Sequence, residues 1–513
     1  MGQYICSARK FVHGYELIGT LVILTSLFIN PWNYFVNALV LILCAVSLYF
    51  YIAIVIADRN WLDIRAVFTA VWLATLGLAA LRLLGYQEQW RNMTWCLCAV
   101  GYLMFQIGAN LGLCVGKKCM PHIKNIKRTW FGTEFQFQPD RLFVICIVTT
   151  LIGMACFITN VAIKGFIPCF SNEPSAYVDF YTKFHVFATA ATAICGCCYY
   201  CIKTQKLSVA KKFILWFCIF YNLILFPTLV VSRGVFVVAA IAFITVVFYL
   251  NKRKFWVVFI CFAFVGGMYM LMSNLRSLAD WQLDVIFNPN TITVGQAQES
   301  MAATARAETV VADVTEVVAT EVTETVATEV VEVVTTEIPV EEATELENEK
   351  NSVLSFTLSP KLSFLYGYLT VSHDNFNEAV KYLEGYTWGV RQLAPINVIL
   401  RQQWITDIIE QGEYYQVNVH LNTTNMLGVF YYDLHEIGVV IFMLLWSCLF
   451  GLIQSIHQEN NGPFSLMLLG YVMAPVALSF FSVWINSFDL WMLCGTVLIF
   501  MFFSSVHLKK YKT

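Results

Sequence analysis

The chain has 513 residues, 58% of them apolar and only 13% charged, with a mean hydropathy of +0.65. So little charge cannot cover the surface of a soluble protein this long, which excludes a soluble globular enzyme and indicates an all-α polytopic membrane protein. The formal charge of −2 hides an asymmetry: Val294 to Lys350 holds 14 acidic and 2 basic residues, leaving 30 basic and 20 acidic elsewhere.

Met1 to His13 is short and polar, so no cleavable signal peptide is expected before the first span. A spanning helix needs about 20 mostly apolar residues. The segments that qualify are 14–31, 34–57, 64–85, 93–115, 141–163, 184–202, 212–231, 234–250, 255–272, 434–456, 464–486 and 488–508, about twelve helices. Asn30, Pro31 and Trp32 break the first from the second, and Gly116 with the basic run after it closes the fourth. Nearly all of the 17 cysteines fall inside apolar runs. Cys195, Cys197, Cys198 and Cys201 imitate metal spacing, but close packing explains small residues on an embedded helix better, and no metal or cofactor is expected.

Lysine and arginine set the orientation. Arg9 and Lys10, Arg59 and Arg65, Lys117 to Arg128, Lys203 to Lys212, Lys252 to Lys254, and Lys509 to Lys512 all fall on one side of a twelve-span chain. That side is expected to be cytoplasmic, with both termini inside. Three regions follow: a nine-helix membrane part (1–272), a large outer loop (273–433) and a three-helix membrane part (434–513).

The loop divides again. Residues 291–351 repeat Thr, Glu and Val with few aromatics, the composition of a solvated, disordered insert. Residues 352–412 predict short amphipathic helices lying on the membrane: one capped by Asp374 or Asn375 and stopped by Gly385, another over Val398–Glu410. Between them, EGYTWGVR (384–391) reads as a turn at interfacial depth.

Outward arginines oppose the positive-inside bias. Arg233 sits in the minimal turn Ser232, Arg233, Gly234; Arg276 leaves the ninth span; Arg391 lies in the Gly/Trp turn. Each is either an interfacial anchor or a fixed cation for an anionic headgroup, and together they suit a diphosphate through planar, bidentate hydrogen bonds. His373, His420 and His435 lie on the outer stretch, where a neutral imidazole can act as a base or simply hydrogen-bond to backbone. Asp433 and Glu436 flank His435, where an acid is also an ordinary helix cap. Asn422 and Thr423 can hold sugar hydroxyls or end a loop. Tyr386, Trp388 and Tyr431 offer ring faces to sugars or pack internally. No G-x-x-x-x-G-K-[ST] loop is present, so nucleotide hydrolysis is not expected. The first outer turn, residues 29–32, lacks the acidic pair of glycosyltransferases that use lipid-monophosphate sugars.

LVVSRGVFVVAA (229–240), EGYTWGVRQLAP (384–395) and NTTNMLGVFYYDLHEIG (422–438) resemble the bacterial oligosaccharide repeat-unit polymerases, the O-antigen-polymerase-like (Wzy-type) family. That family has a Ser-Arg-Gly turn opening a helix, a large outer loop, a Gly-x-x-Trp/Phe element, and an Asn/Thr-rich lead into Tyr-x-Asp-x-Gly. Its usual Asp-Phe-Gly is replaced here by Asp433, Leu434 and His435. The resemblance implies a glycosyltransferase in the bacterial cytoplasmic membrane that polymerises undecaprenyl-diphosphate-linked glycans on the outer face for a surface polysaccharide. Its partners would be those lipid-linked glycans, membrane lipids, a flippase and a chain-length regulator, with no nucleic acid. It implies Arg233, Arg276 and Arg391 at the leaving diphosphate, and His420 first, then His435 and Asp433, at the acceptor hydroxyl. The alternatives are a lipid-linked-oligosaccharide flippase, a ligase using the same donor, and a scaffold.

Overall fold

The computed structural model describes residues 14–29, 33–85, 87–130, 134–170, 180, 182–251, 360–411, 415–417, 423–460, 462–482 and 484–508, with isolated positions 254, 256, 263 and 267. The ninth expected span and the acidic insert lie outside them. Contacts divide the chain into two units, Met1–Arg82, Tyr86–Ala279, Leu365–Thr513 and Leu83–Gly85, Asp280–Phe364; the features below belong to the first.

Eleven of the expected apolar segments fall on described residues, and each is helical. Seven helices are long and apolar enough to cross a membrane: α2 (Tyr34–Ile56), the first part of α4 (Asn92–Trp130), α5 (Pro139–Lys164), α6 (Lys183–Thr204), α7 (Val209–Val230), α8 (Arg233–Leu250) and α12 (Met426–Asn460). Four more are apolar but shorter: α1 (Tyr15–Ile29), α3 (Ile64–Ala80), α13 (Pro463–Ala477) and α14 (Phe488–Ser504). The stretch between α8 and α12 adds α9 (Pro360–Tyr382), α10 (Ala394–Leu400) and α11 (Gln403–Gln411). The only described strands, Glu134–Phe137 and Ser505–Leu508, pair antiparallel.

Helix ends follow local chemistry. The Asp63 side chain accepts from Arg65 N at the start of α3, and Asn33 does the same for Val36 N at α2. α5 opens on Pro139 and stops at Gly165, which takes the left-handed conformation with φ 79°. Between α7 and α8 the chain reverses through Val231 (φ 56°) and Ser232, whose hydroxyl accepts from Val235 N.

Three boundaries differ from the sequence reading. α4 runs on to Trp130, and Gly116 within it is a contact glycine: a Cβ there would lie 2.5 Å from Ser455 Cβ. α13 ends at Ala477, since the turn after it bonds elsewhere and the Ser479 carbonyl accepts Met426 N–H at 2.9 Å. α12 begins eight residues early, at Met426, and is interrupted at Leu434 (φ −148°) and His435 (φ 49°).

α4 and α12 form the central seam. Gly108, Gly112 and Gly116 recur every fourth residue on α4, and a Cβ at Gly112 would meet the Cys448 carbonyl oxygen at 2.0 Å. This is the small-residue stripe that lets spanning helices approach closely. At one end of the seam a buried polar cluster ties four elements. Arg65 grips Asp63 through Nε (2.8 Å) and Nη2 (2.9 Å) and reaches Asn110 through Nη1. Asn110 donates to Glu16, and Gln454 donates to Asp63. The candidate site lies at the other end of the same helices.

Candidate functional site

α9 organises that end. Asp374 and Asn375 do not cap a short helix, as the sequence suggested; they sit inside a helix of 23 residues. The run Ser372, His373, Asp374, Asn375 and Asn377 is polar yet buried, because its partners come from far along the chain. Asp374 accepts from Gln87 Nε2 and Trp90 Nε1, both at 2.8 Å. Asn377 Oδ1 accepts from Arg91 N and Thr94 Oγ1. His373 pairs through Nε2 with Thr75 Oγ1 (3.0 Å) and through Nδ1 with Asn425 Nδ2 (2.9 Å). The amide can only donate there, so Nδ1 is the acceptor nitrogen and the imidazole is neutral. Burial pushes its pKa down to about 3. Burial pushes the Asp374 carboxyl up to about 7, against the opposing pull of the Gln87 and Trp90 hydrogen bonds and the Arg82 charge. His373 is therefore committed to the interior.

A second group forms where α12 is interrupted. Asp433 is fully buried. Its Oδ1 accepts from Thr387 Oγ1 (2.6 Å) and Arg391 N (3.1 Å), and its Oδ2 from Gln392 Nε2 (2.7 Å). Thr387 N also donates to the Tyr432 carbonyl. Instead of capping a helix start, Asp433 fastens the whole turn 387–392 to α12. The Arg391 guanidinium lies over the Tyr432 ring, 4.9 Å from its centroid. Among the described residues no carboxylate stands within ion-pair distance of Arg391, and its buried Nε has no hydrogen-bond partner.

The same turn presents aromatics. Trp388 has φ 53° and is 71% exposed; its ring meets Tyr386 edge-on at 4.4 Å. Tyr386 packs edge-on against His435 at 5.3 Å, and His435 stacks on Tyr431 at 5.0 Å with 11° between planes. His435 Nε2 lies 3.3 Å from the Gly385 carbonyl. A carbonyl only accepts, so Nε2 is the donor in this contact.

Arg233 opens α8 with its guanidinium 5.4 Å from the Tyr368 ring centroid of α9. Thr423 is occupied internally: its hydroxyl bonds Ser372 and its carbonyl accepts from Asn375. Arg276, His420 and Asn422 lie outside the described residues. The structure thus brings Arg391, Asp433, His435, Tyr386, Trp388 and Tyr431 into one patch, and puts Arg233 elsewhere along α9. Tyr368, the contact of Arg233, and Phe376, which meets Tyr431, are eight residues apart on α9, about 12 Å of helix. Sequence reasoning missed Gln392, which completes the Asp433 shell. It also missed Arg91, an exposed arginine whose Nη1 reaches the Lys381 carbonyl and whose charge acts on Tyr431. With the orientation expected from the sequence, Arg91 is a further arginine against the positive-inside bias.

The described helices, seven of them long and apolar enough to cross a membrane, and a patch of arginine and exposed aromatic rings at one end of them define a helical membrane protein. The family model described as "Putative O-antigen polymerase" matches residues 17–307, more than half of the chain, and the chain belongs to that family. The matched region contains Arg233 and ends before the 384–438 motifs. No curated protein and no solved structure matches the chain.

Proposed function

We propose that this protein polymerises undecaprenyl-diphosphate-linked oligosaccharide repeat units for a surface polysaccharide, on the outer face of the bacterial cytoplasmic membrane. A hydroxyl of a fresh lipid-linked unit attacks the anomeric carbon of the growing chain. The bond from that carbon to the lipid diphosphate breaks, and the diphosphate leaves with the electron pair. The leaving group carries its own activation, so the transfer needs no nucleotide, and the charge stabilisation is given to arginines rather than to a metal. Fixed cations stabilise the developing charge; Arg391 and Arg233 are those among the described residues, and Arg276 the third expected one. The acceptor proton goes to a histidine. His435, whose Nε2 faces the Gly385 carbonyl, and His420 are the candidates. Tyr386 and Trp388 give the acceptor sugar a stacking face. Asp433 positions, with its acceptor sites filled by the turn.

The observation that carries this reading is the turn fastened by Asp433, which puts the Arg391 guanidinium, two exposed rings and the His435 imidazole side by side in a chain of this family. The test is a knockout complemented with variants and read on a glycan gel. Single repeat units left on lipid in the knockout support a polymerase. Repeat units trapped inside the cell, with no surface glycan, would indicate a flippase; long chains on lipid that never reach their final acceptor would indicate a ligase.

A further inference from the structure

An apolar groove lies between α2, α3, α8 and α13. It has a volume of about 190 Å³ and is lined chiefly by Val67, Ala70 and Val71 of α3, Ile241 and Ile244 of α8, and Met473 and Ala477 of α13, with Tyr49 of α2 and Leu62 at the end nearer Asp63. Two hydroxyls on its wall are already used: Thr245 donates to the Ile241 carbonyl and Tyr49 to that of Trp61. The groove therefore has nothing to offer water. A buried aliphatic cavity of about 150 Å³ stays dry and takes up hydrocarbon, and this one is larger.

Beyond the groove, at the ends of the helices away from Asp63, α3, α8 and α13 each meet one short stretch of α9. Tyr366 Oη donates to the Leu78 carbonyl at the end of α3 (2.8 Å). Tyr368 takes the Arg233 guanidinium at the start of α8, and stacks on Phe481 just beyond α13 at 5.4 Å. Arg233 and Ile244 are eleven residues apart, which returns to the same face of α8 after three turns, about 16 Å lower. A cation thus stands above a hydrocarbon slot on one helix face.

We infer that this groove is the seat of a polyprenyl chain whose diphosphate rests at Arg233. The inference rests on the proposed function and deepens it. Joining two lipid-linked units brings two lipid diphosphates to one enzyme, and the fold sets two outer cations apart, Arg391 on the fastened turn and Arg233 over the groove. One of the two lipids is held at Arg233 with its tail between α3, α8 and α13.

The test uses the full-length protein in nanodiscs of phosphatidylethanolamine and phosphatidylglycerol, with an undecaprenyl diphosphate carrying a photoreactive tail. Crosslinks are expected on peptides holding Val67–Val71 and Met473–Ala477, resistant to excess phospholipid. Ala70→Phe and Ala477→Phe each lower that labelling about tenfold, while Val148→Phe on the exposed face of α5 leaves it unchanged. Arg233→Gln lowers labelling by the diphosphate but not by the matching polyprenol. Labelling confined to α5, displacement by phospholipid, or full labelling of folded Ala70→Phe would overturn the inference. The proposed function is read separately: wild-type protein that binds the probe in the groove yet forms no polymer refutes that reading alone. Wild-type protein that polymerises without groove labelling refutes this one alone.

Discussion

The Asp433 side chain accepts three hydrogen bonds from the turn, beside the Thr387 N bond to the Tyr432 carbonyl. Asp433→Ala leaves Gln392 and Arg391 N without their acceptor, a loss of about 1–3 kcal/mol per stranded group, so polymer should vanish while protein remains in the membrane. Asp433→Asn keeps one acceptor oxygen but turns an amide toward Gln392, and should retain partial activity. His435→Gln should lower the rate by about 10²–10⁴ with little change in protein level, the range for a lost proton acceptor; an unaltered rate would leave His420 as the base. The buried pair on α9 gives a pH signature. Asp374 is raised toward 7 in the fold, so its stabilisation is present at low pH and lost as pH rises from about 4 to about 7. His373 is depressed toward 3, so its contribution is present above about 6.5 and lost as pH falls toward 3. The two offset each other between about pH 4 and 6.5. Melting curves of His373→Gln should therefore show stability falling across pH 4–7, and Asp374→Asn should show it rising. Arg233 and Arg391 were legible because arginine on the side expected to be outer violates a bias. Asp374 was not: Ser372 to Asn377 reads like a solvated cap, and only Gln87, Trp90 and Thr94, more than 280 positions away, make it interior.

Helices were the most legible elements, since long apolar runs have few other solutions in lipid. Their ends were less so, because tertiary partners decide them. Gly116 resembles a stop signal and is a packing surface; residues 478–482 resemble a continuing span and bend back to serve α12. The spacing of Gly108, Gly112 and Gly116 was a readable sign of the α4–α12 seam. Gly112→Leu would drive a side chain into the Cys448 carbonyl, which a Cβ alone would meet at 2.0 Å, and should abolish accumulation of folded protein, measured by detergent-resistant size exclusion. The break in α12 also has a steric requirement: a Cβ at Gly438 would lie 2.1 Å from the Phe430 carbonyl. Gly438→Ala should straighten or displace this segment and reduce polymer length, while Gly385→Ala, with open space around it, should be tolerated.

For the whole molecule, the helix ends that lysine and arginine assign to one side do lie together. Asn60 bonds Tyr249, Gln454 bonds Asp63, and Gln138 N bonds the Ser504 carbonyl, while α9 and the Asp433 turn occupy the opposite end. An impermeant thiol reagent on single-cysteine proteins should reach position 388 from outside intact spheroplasts and position 205 only after permeabilisation. Removing residues 291–351 should leave at least part of the activity, because none of the groups argued to touch substrate lies there. The central claim is that guanidinium groups at the outer end of this bundle neutralise a departing lipid diphosphate. Its most direct test is polymerisation by purified protein in proteoliposomes supplied with lipid-linked repeat units. Wild-type protein should give a ladder of chain lengths, and Arg391→Ala and Arg233→Ala should give only the single unit, with Lys at position 391 failing to restore the ladder. A wild-type ladder from the folded Arg391→Ala, Arg233→Ala double variant would contradict the account.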